Sequence, residues 1–108
     1  MPGRVVALPE FKALVEQIAN DRPEYTYIKI TRCLYVPGGC AKDPTARCII
    51  GETLSRLGWM DAELAPCSLS SARHVLQRFG FDPGEYASYV QRRQDQGMPW
   101  GEAIVEGR

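Results

Sequence analysis

The sequence has no net charge: 13 Lys and Arg are matched by 13 Asp and Glu over 108 residues. That balance excludes a chain-wide basic footprint for nucleic acid or anionic lipid. Long apolar runs are missing too. An uncharged stretch such as Cys33 to Ala41 is interrupted by Pro and two Gly and is far too short to cross a bilayer. Met1 to Pro9 lacks the apolar length of a signal peptide, so the expected compartment is the cytoplasm, with no membrane partner. Histidine occurs once, as His74, which leaves little for acid–base or metal chemistry. There is no C-x2-4-C knuckle, no H-E-x-x-H, no G-x-S-x-G, no dinucleotide fingerprint, no repeat and no low-complexity linker.

What is present is ordinary for a globular chain. Apolar residues make up 44%, enough to build a core and to argue against disorder. The length suits a single domain over residues 1–108. Apolar spacing predicts a first helix over Pro9 to Asn20, with Phe11, Leu14, Val15, Ile18 and Ala19 on one stripe. A second helix is expected over Ala46 to Leu57, capped by Thr45 and stopped by Gly58. Gly51 inside it costs about 1 kcal/mol relative to Ala, which implies close approach by a neighbouring backbone. A short turn follows, opened by Asp61 over Ala62 to Ala65 and closed by Pro66. Further helices are expected over about Ser70 to Phe79, ending at Gly80, and from Pro83 to about Gln96, capped by Asp82 and ended by Gly97. A last short helix opens at Pro99 and carries Trp100, Ala103 and Ile104, folding back on the one before it; Trp100 is expected in the core.

Residues 25–30 and 33–36 are rich in aromatic and β-branched side chains and read as extended pieces. The expected fold is therefore α+β, mostly α: four to six short helices packed around a small two- or three-stranded β piece.

Candidate chemistry is sparse. Cys33, Cys40, Cys48 and Cys67 read as buried reduced thiols, with a zinc site that adds His74, or a disulfide, as the weaker alternatives. Cys48 near a helix start is a conceivable nucleophile, but Ile49 and Ile50 beside it point to packing. His74 is spaced to touch Ser70, with no carboxylate on its helix to orient it. No catalytic set, metal or cofactor is expected. Tyr25, Tyr27 and Tyr35 in the extended region are either sheet residues or an edge offered to a partner. Charge is uneven. Residues 22–47 carry a net +3, and residues 68–93 a net +2 through Arg73, Arg78, Arg92 and Arg93 against Asp82 and Glu85. The helix pair over 70–96 invites a helix-turn-helix reading in which those four arginines bind DNA. Asp82 and Glu85 at the start of the second helix would repel phosphate and weaken it.

Two blocks carry a resemblance. Cys33-Leu34-Tyr35-Val36 and, after a Gly-containing turn, Cys48-Ile49-Ile50-Gly51-Glu52-Thr53-Leu54-Ser55-Arg56-Leu57-Gly58 resemble the C-x-Y-V piece and the C-[LI]-[VI]-G-x-x-L-x-x-L-G helix of a family of small proteins encoded by phages of mycobacteria and related actinobacteria. The ending Val90-Gln91-Arg92-Arg93-Gln94-Asp95-Gln96-Gly97-Met98-Pro99-Trp100-Gly101-Glu102-Ala103-Ile104 is similar to that family's V-Q-x-x-Q-D-x-G-x-x-W-x-x-A-[VI] ending. The first helix followed by Arg22-Pro23-Glu24-Tyr25-Thr26-Tyr27 fits as well. Residues 59–85 match poorly, and Cys40 with its longer turn is a departure. The resemblance implies a phage origin and a bacterial host cytoplasm, and transfers no activity. The expected function is that of a non-enzymatic accessory protein acting by protein–protein contact with a host or phage protein, or with its own copy, through Tyr25, Tyr27 and Tyr35. A DNA-binding regulator is the alternative, and a thiol- or zinc-dependent protein a further one.

Overall fold

A computed structural model describes residues 3–28, 35–38, 40, 43, 46–67, 71–81 and 85–105. Six α-helices follow in order: α1 (Leu8–Asp21), α2 (Ile49–Arg56), α3 (Asp61–Leu64), α4 (Ala72–Arg78), α5 (Tyr86–Asp95) and α6 (Trp100–Ala103). A 3-10 turn, Ala65–Cys67, continues α3.

The α1 stripe buries Phe11, Val15, Ile18 and Ala19. It faces α2, which buries Ile49, Ile50 and Leu54 completely. Phe11 meets Phe81 edge to face at 5.4 Å between centroids, which ties α1 to the chain after α4. Val75 and Leu76 of α4 and Ala87 and Val90 of α5 extend the same core.

Three helices stop in the same way. Beyond α2, α4 and α5 the chain turns on Gly58, Gly80 and Gly97, with φ of +96, +90 and +87°. After α2, Gly58 N donates to Ser55 O and Trp59 N to Leu54 O. The matching pairs after α4 and α5 start from Gly80 and Phe81 and from Gly97 and Met98. These are Schellman closures, and the left-handed residue in each is a glycine because a Cβ there is strained.

The helix starts differ from expectation. α2 begins at Ile49, not Ala46, because Cys48 takes the cap: its Sγ accepts from Gly51 N at 3.4 Å. Thr45 lies outside the described residues. Gln94 Oε1 accepts from Ile49 N at 2.9 Å, so α5 supplies a second cap to α2. Asp61 opens α3 itself, and Pro66 sits within the 3-10 turn. Ser71 caps α4, its Oγ accepting from His74 N at 3.3 Å. The proposed cap Asp82, and Pro83 with it, lie outside the described residues; α5 is regular from Tyr86.

The expected β piece is corrected. No strand and no sheet are found among the described residues; Cys40 is an isolated bridge position. The segment 25–28 is extended without a ladder. Its neighbouring carbonyls are taken by α6 instead: Trp100 N donates to Tyr25 O at 2.9 Å and Gly101 N to Pro23 O at 2.8 Å. Tyr35 and Val36 lie in a bend, and residues 29–34 are not among those described. Strand-type composition here marks half-buried packing, which is what β propensity largely measures. The fold seen is helical.

Candidate functional site

The tyrosines are placed by this packing. Tyr27 and Tyr35 are buried, at 1% and 2% exposure, and belong to the core. Tyr35 lies so close to α2 that a Cβ on Gly51 would stand 2.4 Å from its carbonyl oxygen, which is the close backbone approach the glycine implied. Only Tyr25 of the three keeps partial exposure. Its ring meets Trp100 edge to face at 4.6 Å, Arg22 lies over it at 4.9 Å, and its hydroxyl is 3.8 Å from Cys40 Sγ. Burial first, then the Cys40 contact and the Asp43 charge, hold the Tyr25 phenol protonated well above its ordinary range, opposed by Arg22. A three-tyrosine contact surface is thus not on the outside of the described structure. Trp100 is core, at 1% exposure, and its indole N–H has no hydrogen-bond partner among the described residues.

The chemistry-bearing cysteines are spent on packing. Cys40, Cys48 and Cys67 are free thiols and buried; Cys67 donates to Glu63 O at 3.7 Å. Cys33 lies outside the described residues. No group of three or more metal-ligating side chains is found among the described residues. His74 is exposed on α4, and Ser70, its suggested neighbour, is not described.

The arginines separate into two sets. Four are tied down as ion pairs: Arg4 to Glu10 (3.7 Å), Arg22 to Glu52 (3.9 Å), Arg47 to Asp61, and Arg56 to both Asp21 (3.6 Å) and Glu52 (3.7 Å). Arg73 and Arg78 on α4 and Arg92 on α5 are exposed and make no ion pair or hydrogen bond among the described residues. Arg93 belongs with neither set. It is 8% exposed; its Nη1 donates to Val105 O at 2.8 Å and to the Tyr89 hydroxyl, and its guanidinium stacks on the Tyr89 ring at 4.9 Å. Its place among DNA-contacting residues is corrected: it clamps the segment after α6 to α5. The signal was in the spacing, since Tyr86, Val90, Arg93 and Gln94 follow one inward stripe at i, i+4, i+7 and i+8.

Arg73 and Arg92 meet across the cleft between α4 and α5. With Glu85, Ser88 and Tyr89 they line a groove of about 260 Å³. Glu85 makes no ion pair with either arginine. The groove is smaller than most small-molecule pockets, which run from about 300 to 1,000 Å³. It is the size of a seat for one side chain. Sequence reading named its arginines but missed the groove, because nothing local predicts how α4 leans on α5.

The chain matches no family model, and no curated protein or solved structure is significantly similar to it. No helix among the described residues is long and apolar enough to cross a membrane.

Proposed function

We propose that this chain is a non-enzymatic protein that works by protein–protein contact, and that its contact surface is the arginine-bearing face of α4 and α5. The observation that carries the reading is that Arg73, Arg78 and Arg92 have no ion pair among the described residues, beside four arginines that the fold neutralises. Guanidinium is weakly hydrated and offers a planar fork of donors, so it is favoured at interfaces with carboxylates. The surface calls for an acidic partner. The likeness to small phage proteins supports placing that partner in a bacterial host cytoplasm.

Reversing the face tests this. Arg73→Glu with Arg92→Glu, in protein that keeps its helical circular dichroism, is expected to lose partners that the parent captures from host lysate. Capture of the same partners in the same amounts by both proteins removes the surface from consideration.

Arg73 and Arg92 on one groove also favour a second reading, contact with nucleic-acid phosphates. Three free arginines among the described residues, on a neutral chain, are few against the roughly 6–10 phosphate contacts of a protein that binds DNA strongly, so the protein partner is preferred. Retention on DNA at low salt, falling steeply with added salt, would reverse that preference.

A further inference from the structure

We propose that the groove between α4 and α5 is a seat for a single carboxylate, the place where an acidic side chain of the partner docks. The inference rests on the contact surface proposed above and specifies its chemistry. Arg73 and Arg92 line the groove from different helices, and neither has a carboxylate partner among the described residues. The Ser88 hydroxyl lines the same space and makes no hydrogen bond within the described residues, so a donor is available beside the two guanidinium groups. Tyr89 contributes a ring wall; its hydroxyl is occupied, accepting from Arg93 and donating to Val105 O at 3.1 Å.

Charge deepens the case. Arg93 lies behind Tyr89, buried, with neutral oxygens as its hydrogen-bond partners and no carboxylate paired with it among the described residues. A buried charge is screened less than a surface one, so it adds positive potential to the wall of the groove. Among the described residues, three guanidinium groups therefore act on the space against one acid, Glu85. That acid sits on the groove without an ion pair among the described residues, and of the groove's described lining it is the residue that opposes an anion there. A carboxylate held between two forks would satisfy donors that have no hydrogen-bond partner among the described residues.

The test uses the full chain, labelled with 15N, titrated with an eight-residue peptide of Glu, Gly and Ser and with its Gln counterpart. The Glu peptide is expected to shift the amides of Arg73, Ser88, Tyr89 and Arg92 and to saturate; the Gln peptide is not. Arg92→Gln should weaken binding about five-fold, the scale of one exposed ion pair of roughly 1 kcal/mol. Glu85→Gln should tighten it, a change that a merely structural role for Glu85 does not produce. Weaker binding by Glu85→Gln overturns the proposal. So do shifts driven by inorganic phosphate or a DNA oligonucleotide and not by the Glu peptide. Separate outcomes distinguish the two readings. If Arg73→Glu with Arg92→Glu abolishes partner capture but the peptide shifts nothing, the seat is wrong and the surface stands. If the peptide saturates the groove while capture is unchanged, the surface reading is the one that fails.

Discussion

Replacing Gly51 by Ala sets two effects of opposite sign against each other. In an open helix the change removes backbone entropy from the unfolded chain and stabilises by about 0.8–1.0 kcal/mol. Here the new Cβ would lie 2.4 Å from the carbonyl oxygen of Tyr35, 2.7 Å from its Cα and 2.8 Å from its carbonyl carbon, where ordinary contact begins near 3.4 Å. Relief requires α2 and residue 35 to part by about 1 Å, taking ordinary van der Waals separation as the target. Neither side gives easily. The obstacle is backbone, Tyr35 is buried at 2% exposure, and α2 is held at its start by Gln94 and Cys48 and at its end by the turn on Gly58. Overpacking of this kind costs about 1–3 kcal/mol and sometimes more. The clash wins, and Gly51→Ala is expected to lose about 1 kcal/mol net, or roughly 5 °C in Tm for a domain of this size. Urea unfolding followed by far-UV circular dichroism measures it. Gly101→Ala supplies an internal comparison: its nearest obstacles are Pro23 Cβ at 2.8 Å and Pro23 O at 3.0 Å, so the loss should be smaller. A Gly51→Ala protein as stable as the parent, or more stable, would refute the argument, because helix propensity would then have prevailed over the contact.

Gln94→Met keeps the volume of a fully buried side chain but leaves the Ile49 N–H without its acceptor; a loss of about 1–3 kcal/mol in chemical denaturation is expected, and a neutral result would mean that the cap is not needed. Removing residues 1–6 takes away Arg4, whose N donates to Leu57 O at 2.8 Å and whose O accepts from Trp59 Nε1 at 3.2 Å. Tryptophan emission should move to longer wavelength, and an unchanged spectrum would show that the segment does not shield Trp59. The Tyr25 phenol has its folded-state pKa raised above the ordinary 10.0, so its contribution is complete below that pH and is lost as pH rises beyond it. Tyr25→Phe should therefore show a flatter loss of stability above about pH 10 than the parent, and parallel curves would contradict the burial assigned to the hydroxyl.

Most helices were legible because their information is local. The stripe of α1, the glycines beyond α2, α4 and α5, and the return of α6 onto α5 all follow from apolar period and from φ that only glycine adopts readily. The expected β piece failed for a reason that is equally physical. Tyr25 to Ile28 has strand composition, but whether its backbone joins a ladder depends on what lies opposite, and α6 lies there. Tyr27 and Tyr35 carried no local mark of their depth. The cap from Gln94 to Ile49 spans 45 positions, a separation no sequence window reaches. For the candidate site, the exposed arginines were named in advance, while the burial of Arg93 and the existence of the groove depended on how α4 and α5 pack.

Several described residues of the blocks quoted for the resemblance are ones the fold consumes. Cys48 and Gln94 cap α2, Gly51 admits the backbone at Tyr35, and Trp100 fills the space beneath Tyr25. None of them has a reactive group left over to face solvent: the thiol is buried, the amide oxygen is bonded and the indole is enclosed. A structural need therefore explains that pattern without any chemistry, and its presence says nothing about activity. What the fold leaves unused is elsewhere, in the guanidinium groups of Arg73, Arg78 and Arg92. Exposed arginines are common, so exposure alone would not single them out. Four other arginines on the same small surface have found carboxylates, and 13 acids were available in the chain to neutralise these three as well. A surface pair contributes about 1 kcal/mol at most, too little for folding to have demanded or forbidden such partners. The lack of an ion pair at Arg73, Arg78 and Arg92 among the described residues, with Glu85 on the same groove but unpaired, is thus not set by stability, and the carboxylate from another molecule proposed above would complete it.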